Sequence, residues 1–167
     1  ERDDIIVWNR EYYNEYDIGT YRLGIKHLEN KYNSKIYDIF NYMLLINAGV
    51  FGPIYESGPK VHWIDPYIDK MSVENSVICT PIINFLKHTD LGGPGPRCQS
   101  YCSVFKLNKA VYDLLLHTKI KNHSEGTDGK GVPLHHDYVL TNHINHQNTV
   151  LIGEYGMTRI FLNNNFN

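Results

Sequence analysis

The feature that most constrains the fold of this chain is an apolar run, Tyr42–Ile46, that gives way at once to small and polar residues. A run without polar alternation is typical of a strand covered on both faces. The loop that follows contains Asn47, Ala48, Gly49, Gly52 and Pro53. In open α/β sheets, ligands bind outside the carboxyl ends of the strands. We therefore expect a ligand beside residues 47–49, the Asn47 loop.

The other segments predict one domain of alternating strands and helices. A length of 167 residues is that of about one domain. Strands are predicted at residues 5–7, 76–83, 98–107 and 149–152, and helices at about 17–31, 63–70, 108–117 and 134–146. Residues 84–96 and 118–133 predict loops, the second a lid or an insertion. Because strand, helix and strand at the start favour a right-handed βαβ crossover, we expect an α/β fold with a mixed, mostly parallel sheet flanked by helices.

Charge and cysteine content bear on the class of protein. With 16 basic and 18 acidic residues the net charge is -2, which gives no global reason to expect a nucleic-acid partner. Cys98 and Cys102 lie in a predicted strand, where four residues span about 13 Å, so we expect no disulfide between them. No apolar run approaches the roughly 20 residues of a membrane span. We expect an excised or incomplete segment, because the chain begins at Glu1, with no membrane span and a cytoplasmic location.

Asp17 and the Asn47 loop are candidate positions for a nucleotide. A carboxylate at the start of a helix that follows a strand can accept from a ribose hydroxyl or a base N–H, and the free backbone N–H groups of the first turn suit phosphate. The alternative is that Asp17 only caps the helix. Ala48 and Gly49 leave the backbone open to a diphosphate, although the same residues also suit a structural turn.

Arg97 and Gln99 follow the Gly- and Pro-rich loop and are candidates for a polar ligand. Arg offers a planar fork of donors, and Gln both donates and accepts, so the pair can bind carboxylate, phosphate or sugar hydroxyls. Simple solvation at the surface is the alternative, more for Arg97 than for Gln99.

A histidine-rich segment is a candidate for metal or acid–base chemistry. His135, His136 and Asp137 begin a predicted helix, with His143 and His146 further along. The carboxylate could join a metal site or act as a general base. A closed zinc site is not expected, because no two His stand at i, i+4 on one face. A His-dependent metal hydrolase remains a minor alternative.

Taken in order, these motifs resemble sugar-nucleotide glycosyltransferases of the GT-A class, including rhamnan-synthesis and related polysaccharide-building enzymes and the glycosyltransferase domains of large algal viruses. The resemblance covers most of residues 5–152. Its motifs are Asn14 with Asp17, Ile18, Gly19 and Tyr21; Ile46, Asn47, Ala48, Gly49, Val50, Gly52 and Pro53; Gln99 and Ser100; and Asp137.

The resemblance implies a nucleotide-diphosphate sugar donor and an acceptor hydroxyl on a glycan or glycoprotein. The donor-binding residues would be Asn14, Asp17, Gly19, Asn47, Ala48 and Gly49, and the acceptor-binding residues Arg97, Gln99 and Ser100. In an inverting enzyme Asp137 would be the general base. The implied fold is a single GT-A-like, Rossmann-related domain over residues 1–167 that lacks its first strand.

One departure from the family pattern concerns the metal. GT-A enzymes usually carry an Asp-x-Asp pair where this chain has the Asn47 loop. Positive charge for the leaving diphosphate would come from Mg²⁺ or Mn²⁺, held by Asn47, His135 or His136, or from basic side chains. The missing pair motivates a second function, a non-catalytic carbohydrate-binding or assembly module on the same fold.

Overall fold

The computed structural model describes residues 16–47, 49–50, 61–88, 90, 92–121, 136–143 and 145–166. The α-helices are α1 (Asp17–Tyr32), α2 (Ile36–Ile39), α3 (Asp65–Lys70), α4 (Lys109–His117), α5 (His146–Asn148) and α6 (Tyr155–Leu162). A π-helix, Thr149–Glu154, joins α5 to α6. The strands are β1 (Tyr42–Ile46), β2 (Ile78–Cys79), β3 (Ile83–Leu86), β4 (Gly95–Cys98), β5 (Cys102–Lys106), β6 (Lys119–Lys121) and β7 (His136–Tyr138).

The strands form three small sheets, in the orders β1-β5-β2, β3-β4 and β6-β7. β1 pairs with β5 from Tyr42 opposite Lys106 to Ile46 opposite Cys102. The expected GT-A-like, Rossmann-related fold with a mostly parallel sheet is wrong, because each strand pair in the described residues is antiparallel. Hydrophobic periodicity predicts a strand but says nothing about the direction of its partner. The predicted strand 5–7 lies outside the described residues.

Four elements confirm the predictions made from local sequence signals: α1, β1, α3 and α4. In α4 the cap itself is confirmed, since the Asn108 side chain accepts a hydrogen bond from the Val111 backbone N–H at 2.9 Å. Such a bond satisfies one of the free donors at the start of a helix. Local signals therefore located these elements reliably.

The predicted boundaries of strands and loops in residues 76–107 are wrong: the sequence predicts two strands separated by a loop, and the structure has four strands. β2 ends at Cys79 and β3 begins at Ile83, and Pro81 between them has no N–H to continue a sheet ladder. β3 pairs with β4 within and beside the predicted loop 84–96. A turn at Ser100 and Tyr101 separates β4 from β5. All three cysteines of the chain are free thiols.

Two predictions near the C-terminus are also wrong. Residues 136–138 of the predicted helix 134–146 form β7, and its partner β6 lies in the predicted loop 118–133. The predicted strand 149–152 is part of the π-helix. The Asn145 side chain accepts from the Asn148 backbone N–H at 2.8 Å, which begins this helical segment. Packing overrides the strand propensity of an apolar run such as Val150–Ile152.

Helix α6 packs against β5 and the hairpin of β3 and β4. Phe105 of β5 and Phe161 of α6 are fully buried, with ring centroids 6.0 Å apart. The Cys98 backbone N–H at the end of β4 donates to the Thr158 hydroxyl of α6 at 2.8 Å. This packing places the π-helix against α1. Within the described residues, no helix combines the length and the apolar character needed to cross a membrane.

Candidate functional site

A polar cavity of about 290 Å³ lies where the start of α1 meets the π-helix. Its lining comes from three parts of the chain that are far apart in sequence. They are the start of α1, the turn between β4 and β5, and the segment from α5 to the end of the π-helix. The lining residues are Tyr16, Asp17, Ile18, Tyr21, Ser100, His146, Thr149 and Glu154.

Glu154 is the carboxylate that the fold places deepest in this cavity. It is the last residue of the π-helix, in which the Tyr155 backbone N–H bonds to the Val150 carbonyl, five residues back. Burial raises the pKa of Glu154, and the nearby charge of Asp17 raises it further. A hydrogen bond with Ser100 and the proximity of His146 act in the opposite direction. A half-buried carboxyl with a raised pKa holds a proton more readily than an exposed glutamate does, which suits it to act as a general base.

Tyr21 adds a neutral hydrogen-bond donor to the cavity. Its hydroxyl oxygen is buried and has no hydrogen-bond partner among the described residues. Burial raises the pKa of Tyr21 above its ordinary value, and the carboxylates of Asp17 and Glu154 raise it further. The hydroxyl therefore stays protonated, and a ligand could supply the partner that it lacks.

Tyr16 and His146 form the aromatic side of the cavity. Both are exposed, and their ring centroids lie 5.5 Å apart with the planes at 69°. Asp17 follows Tyr16 and is the first residue of α1, and Tyr16 rather than Asp17 occupies the N-cap position. The Asp17 carboxylate is therefore not the cap of this helix, in contrast to the simpler reading of the sequence.

Of the predicted donor-binding residues, Asp17 lines the cavity and Gly19 lies beside it. Gly19 is buried in α1, where a Cβ would come within 3.1 Å of the Asn142 Cα, so its role in the structure is close packing. Asn14 and Ala48 lie outside the described residues. Of the residues predicted to bind the sugar donor, Asp17 is therefore the one whose polar side chain lines this cavity.

The Asn47 loop is a tight turn next to the β4–β5 turn. The Asn47 side-chain oxygen accepts a hydrogen bond from the Gly49 backbone N–H at 3.0 Å, as in an Asx-turn. The Asn47 backbone N–H donates to the Tyr101 carbonyl at 3.1 Å. Tyr101 follows Ser100 of the cavity, so the two turns are neighbours. Neither Asn47 nor Gly49 lines the cavity.

Among the predicted acceptor-binding residues, Ser100 lines the cavity. Arg97 instead donates hydrogen bonds to the Gly- and Pro-rich loop that precedes it. Arg97 is only 4% exposed, so the surface reading is wrong for it. Its guanidinium donates to the carbonyls of Gly92 at 2.9 Å and Pro94 at 3.1 Å, and also to those of Gly93 and Pro96. Burial and the nearby Arg159 lower the pKa of Arg97.

Gln99 lies between Arg97 and Ser100 and is half-buried. Its backbone carbonyl accepts from the hydroxyls of Thr80 at 3.0 Å and Ser103 at 3.1 Å. Its backbone N–H donates to the Ile82 carbonyl at 3.2 Å. The backbone of Gln99 therefore fixes the turn that presents Ser100 to the cavity.

The predicted base and metal ligands lie on or near β7, away from the cavity lining. Asp137 is half-buried, with a carboxylate oxygen 4.0 Å from Nδ1 of His143, and His136 is exposed. His135 lies outside the described residues. In the part of the chain that the structure describes, no three His, Cys, Asp or Glu side chains come together to hold a metal ion. Among the described residues, the two cavity carboxylates have no third side chain of this kind placed to share a metal ion with them.

The sequence analysis did not single out Glu154 or His146 as members of this site. Glu154 follows a predicted strand, and its only local signal is a carboxylate within a long apolar stretch, residues 149–161. The sequence analysis places His146 only in the histidine-rich segment and Tyr21 only in the motif around Asp17. Only the tertiary packing of α1 against the π-helix brings these side chains together.

Comparison with known proteins identifies no relative of this chain. The functional assignment therefore depends on the chemistry of the cavity. No protein-family model matches the sequence, and neither curated proteins nor solved structures give a match.

Proposed function

We propose that the cavity binds a sugar and that the protein is a glycosyltransferase, with Glu154 as the general base. The donor would be a nucleotide-diphosphate sugar, and the acceptor a hydroxyl of a glycan or glycoprotein. The observation that carries the proposal is the half-buried Glu154 carboxyl, hydrogen-bonded to Ser100 inside a polar cavity. The motifs around Asp17 and Ser100 that resemble glycosyltransferases lie at the same cavity.

The lining suits a ligand rich in hydroxyl groups. The carboxylates of Asp17 and Glu154 accept hydrogen bonds, while the hydroxyls of Tyr21 and Ser100 can donate as well. Tyr16 offers an aromatic ring at the mouth, and aromatic rings pack against the apolar faces of ligands. This mixture of acceptors, donors and ring faces matches the alternating hydroxyl and C–H surfaces of a sugar.

The size and charge of the cavity favour a single sugar over a whole nucleotide sugar. Its volume of about 290 Å³ is at the small end of the roughly 300–1,000 Å³ usual for ligand pockets. The described residues of its lining include two carboxylates and neither Lys nor Arg, which disfavours a diphosphate there. We infer that the cavity holds the acceptor hydroxyl and the reacting sugar, and that the diphosphate lies outside it.

In the proposed reaction Glu154 takes the proton of the acceptor hydroxyl. The hydroxyl oxygen forms a bond to the anomeric carbon of the donor sugar, and the bond from that carbon to the diphosphate oxygen breaks. The diphosphate leaves with the electron pair of that bond. A raised pKa improves Glu154 as a base because its proton affinity is then closer to that needed at neutral pH.

The test of the proposed function is the substitution Glu154→Gln, which keeps size and hydrogen bonding but removes the base. Purified protein is mixed with nucleotide-diphosphate sugars, Mn²⁺ and a panel of glycan acceptors, and nucleoside diphosphate release is measured. We expect release by the wild type and a loss of about 10²- to 10⁴-fold in the variant. The exposed Glu74→Gln is the matched control. Wild-type rates in Glu154→Gln would contradict the proposal.

The second candidate is a non-catalytic carbohydrate-binding module, and it is favoured because the described residues that line the cavity include neither Lys nor Arg. It predicts that monosaccharides raise the melting temperature, because they bind only the folded state, while no donor is turned over. Asp17→Asn should reduce this stabilisation. Acceptor-dependent release of nucleoside diphosphate by the wild type would eliminate this candidate.

A further inference from the structure

A buried imidazole lies directly behind the π-helix that carries Glu154. The side chain of His143 has no solvent exposure. Its Nε2 lies 3.1 Å from the Val139 carbonyl, and its Nδ1 lies 4.0 Å from a carboxylate oxygen of Asp137. His143 is therefore packed inside the protein, in contact with Val139 and close to Asp137.

The backbone of the π-helix packs closely on this imidazole. A Cβ added at Gly153 would lie 3.1 Å from His143 Nε2 and 3.1 Å from two side-chain carbons of Ile18 in α1. These distances are shorter than ordinary van der Waals contact, so the Gly153 backbone fits between His143 and α1. Gly153 immediately precedes Glu154, and any shift of this contact moves the carboxyl.

The π-helical conformation is what directs Glu154 at Ser100. A π-helix is rare and is commonly found at functional sites. If the segment changed to ordinary α-helical bonding, one residue would drop out of the turn. Because an α-helix has about 3.6 residues per turn, Glu154 would rotate by about 100° about the helix axis. The carboxyl would then leave its hydrogen bond with Ser100.

We propose that Asp137 and His143 are positioning residues that hold the π-helix against α1 and thereby hold the Glu154 carboxyl beside Ser100. Asp137 acts through His143 and does not touch the cavity. The role of Glu154 as a general base rests on the proposed function. Its positioning by Asp137 and His143 can be measured without substrate.

The test follows Glu154 directly by NMR in the ligand-free protein. Glutamate labelled with ¹³C at the carboxyl carbon reports the titration midpoint of Glu154, and backbone amide shifts report the conformation of Thr149–Glu154. We expect His143→Leu and Asp137→Asn to change the amide shifts of the π-helix. We also expect both to lower the Glu154 midpoint toward its ordinary value, because burial is the largest cause of the raised pKa and outweighs the opposing effect of the Ser100 hydrogen bond.

Conservative and matched variants separate positioning from loss of stability. His143→Gln retains an amide that can donate to the Val139 carbonyl, so it should restore part of the wild-type midpoint. His88→Gln changes an exposed histidine and Asp38→Asn an exposed aspartate, and neither should move Glu154. If His143→Leu does not fold, Gly153→Ala serves in its place, because its Cβ pushes against His143. Unchanged amide shifts and an unchanged Glu154 midpoint in Asp137→Asn and in His143→Leu or its replacement would overturn the inference.

The outcome for positioning is independent of the outcome for catalysis. If the NMR readouts move as expected while Glu154→Gln leaves sugar transfer intact, the proposed function fails and the positioning stands. If Glu154→Gln abolishes transfer while the NMR readouts stay at wild-type values, the positioning fails and the proposed function stands.

Discussion

At Glu154 the surroundings that raise the pKa of the carboxyl also make its ionised form costly to the folded chain. Burial disfavours the charge, and Asp17 adds repulsion. Because the pKa in the folded state lies above the unfolded value, the stability that this carboxyl contributes is fully present below the unfolded pKa. That contribution is lost as the pH rises through the folded pKa. The Glu154 carboxyl is therefore a source of instability at neutral pH.

We therefore expect Glu154→Gln to stabilise the protein at about pH 7.5. The amide keeps an acceptor for Ser100 and carries no charge. Below about pH 3, where the glutamate is protonated in both states, the two proteins should melt at the same temperature. Thermal unfolding at both pH values checks this, with Glu74→Gln as the exposed control. A variant that melts below the wild type at about pH 7.5 would show that ionised Glu154 is favoured by its surroundings.

The residues of the site differ in how far the sequence identifies them. Asp17 follows from its place at the start of a helix, and Ser100 from the motif with Gln99, because both signals are local. Glu154 and His146 become site residues only through contacts with α1, more than a hundred positions away. Periodicity cannot encode such a contact, so the sequence assigns the base to Asp137 instead.

At the scale of elements, local capping predicts helices well and strand pairing poorly. Asn108 identifies α4 because its hydrogen bond to Val111 is made within one turn. The hairpin of β3 and β4 has no such signal, since it depends on a buried arginine. Arg97 bonds to the carbonyls of the Gly- and Pro-rich loop that joins the two strands.

We expect Arg97→Met to destabilise the protein by about 2–4 kcal/mol, because the variant leaves buried carbonyls without their donors. Urea unfolding gives the free energy. Lys87→Met, an exposed change in the same hairpin, should alter it by less than about 0.5 kcal/mol. An effect of Arg97→Met as small as that of the control would mean that the carbonyls find other partners.

At the scale of the whole molecule, the three small sheets replace the continuous parallel sheet that the sequence favours. Tyr42–Ile46 forms a strand as expected, but its partner β5 runs in the opposite direction. The choice between parallel and antiparallel neighbours depends on connections distant in sequence. The polar cavity accordingly lies between two helices, α1 and the π-helix, and not along a sheet edge.

Because its walls come from α1, the β4–β5 turn and the π-helix, a sugar in the cavity would join distant parts of one chain. Local opening of either helix would then require the ligand to leave first, so both would open less often. We expect a bound monosaccharide to slow amide hydrogen exchange at Tyr21 and Ile152 by the same factor. Asp38 in α2, which does not line the cavity, is the internal reference. Protection confined to one helix would mean that the ligand contacts a single wall.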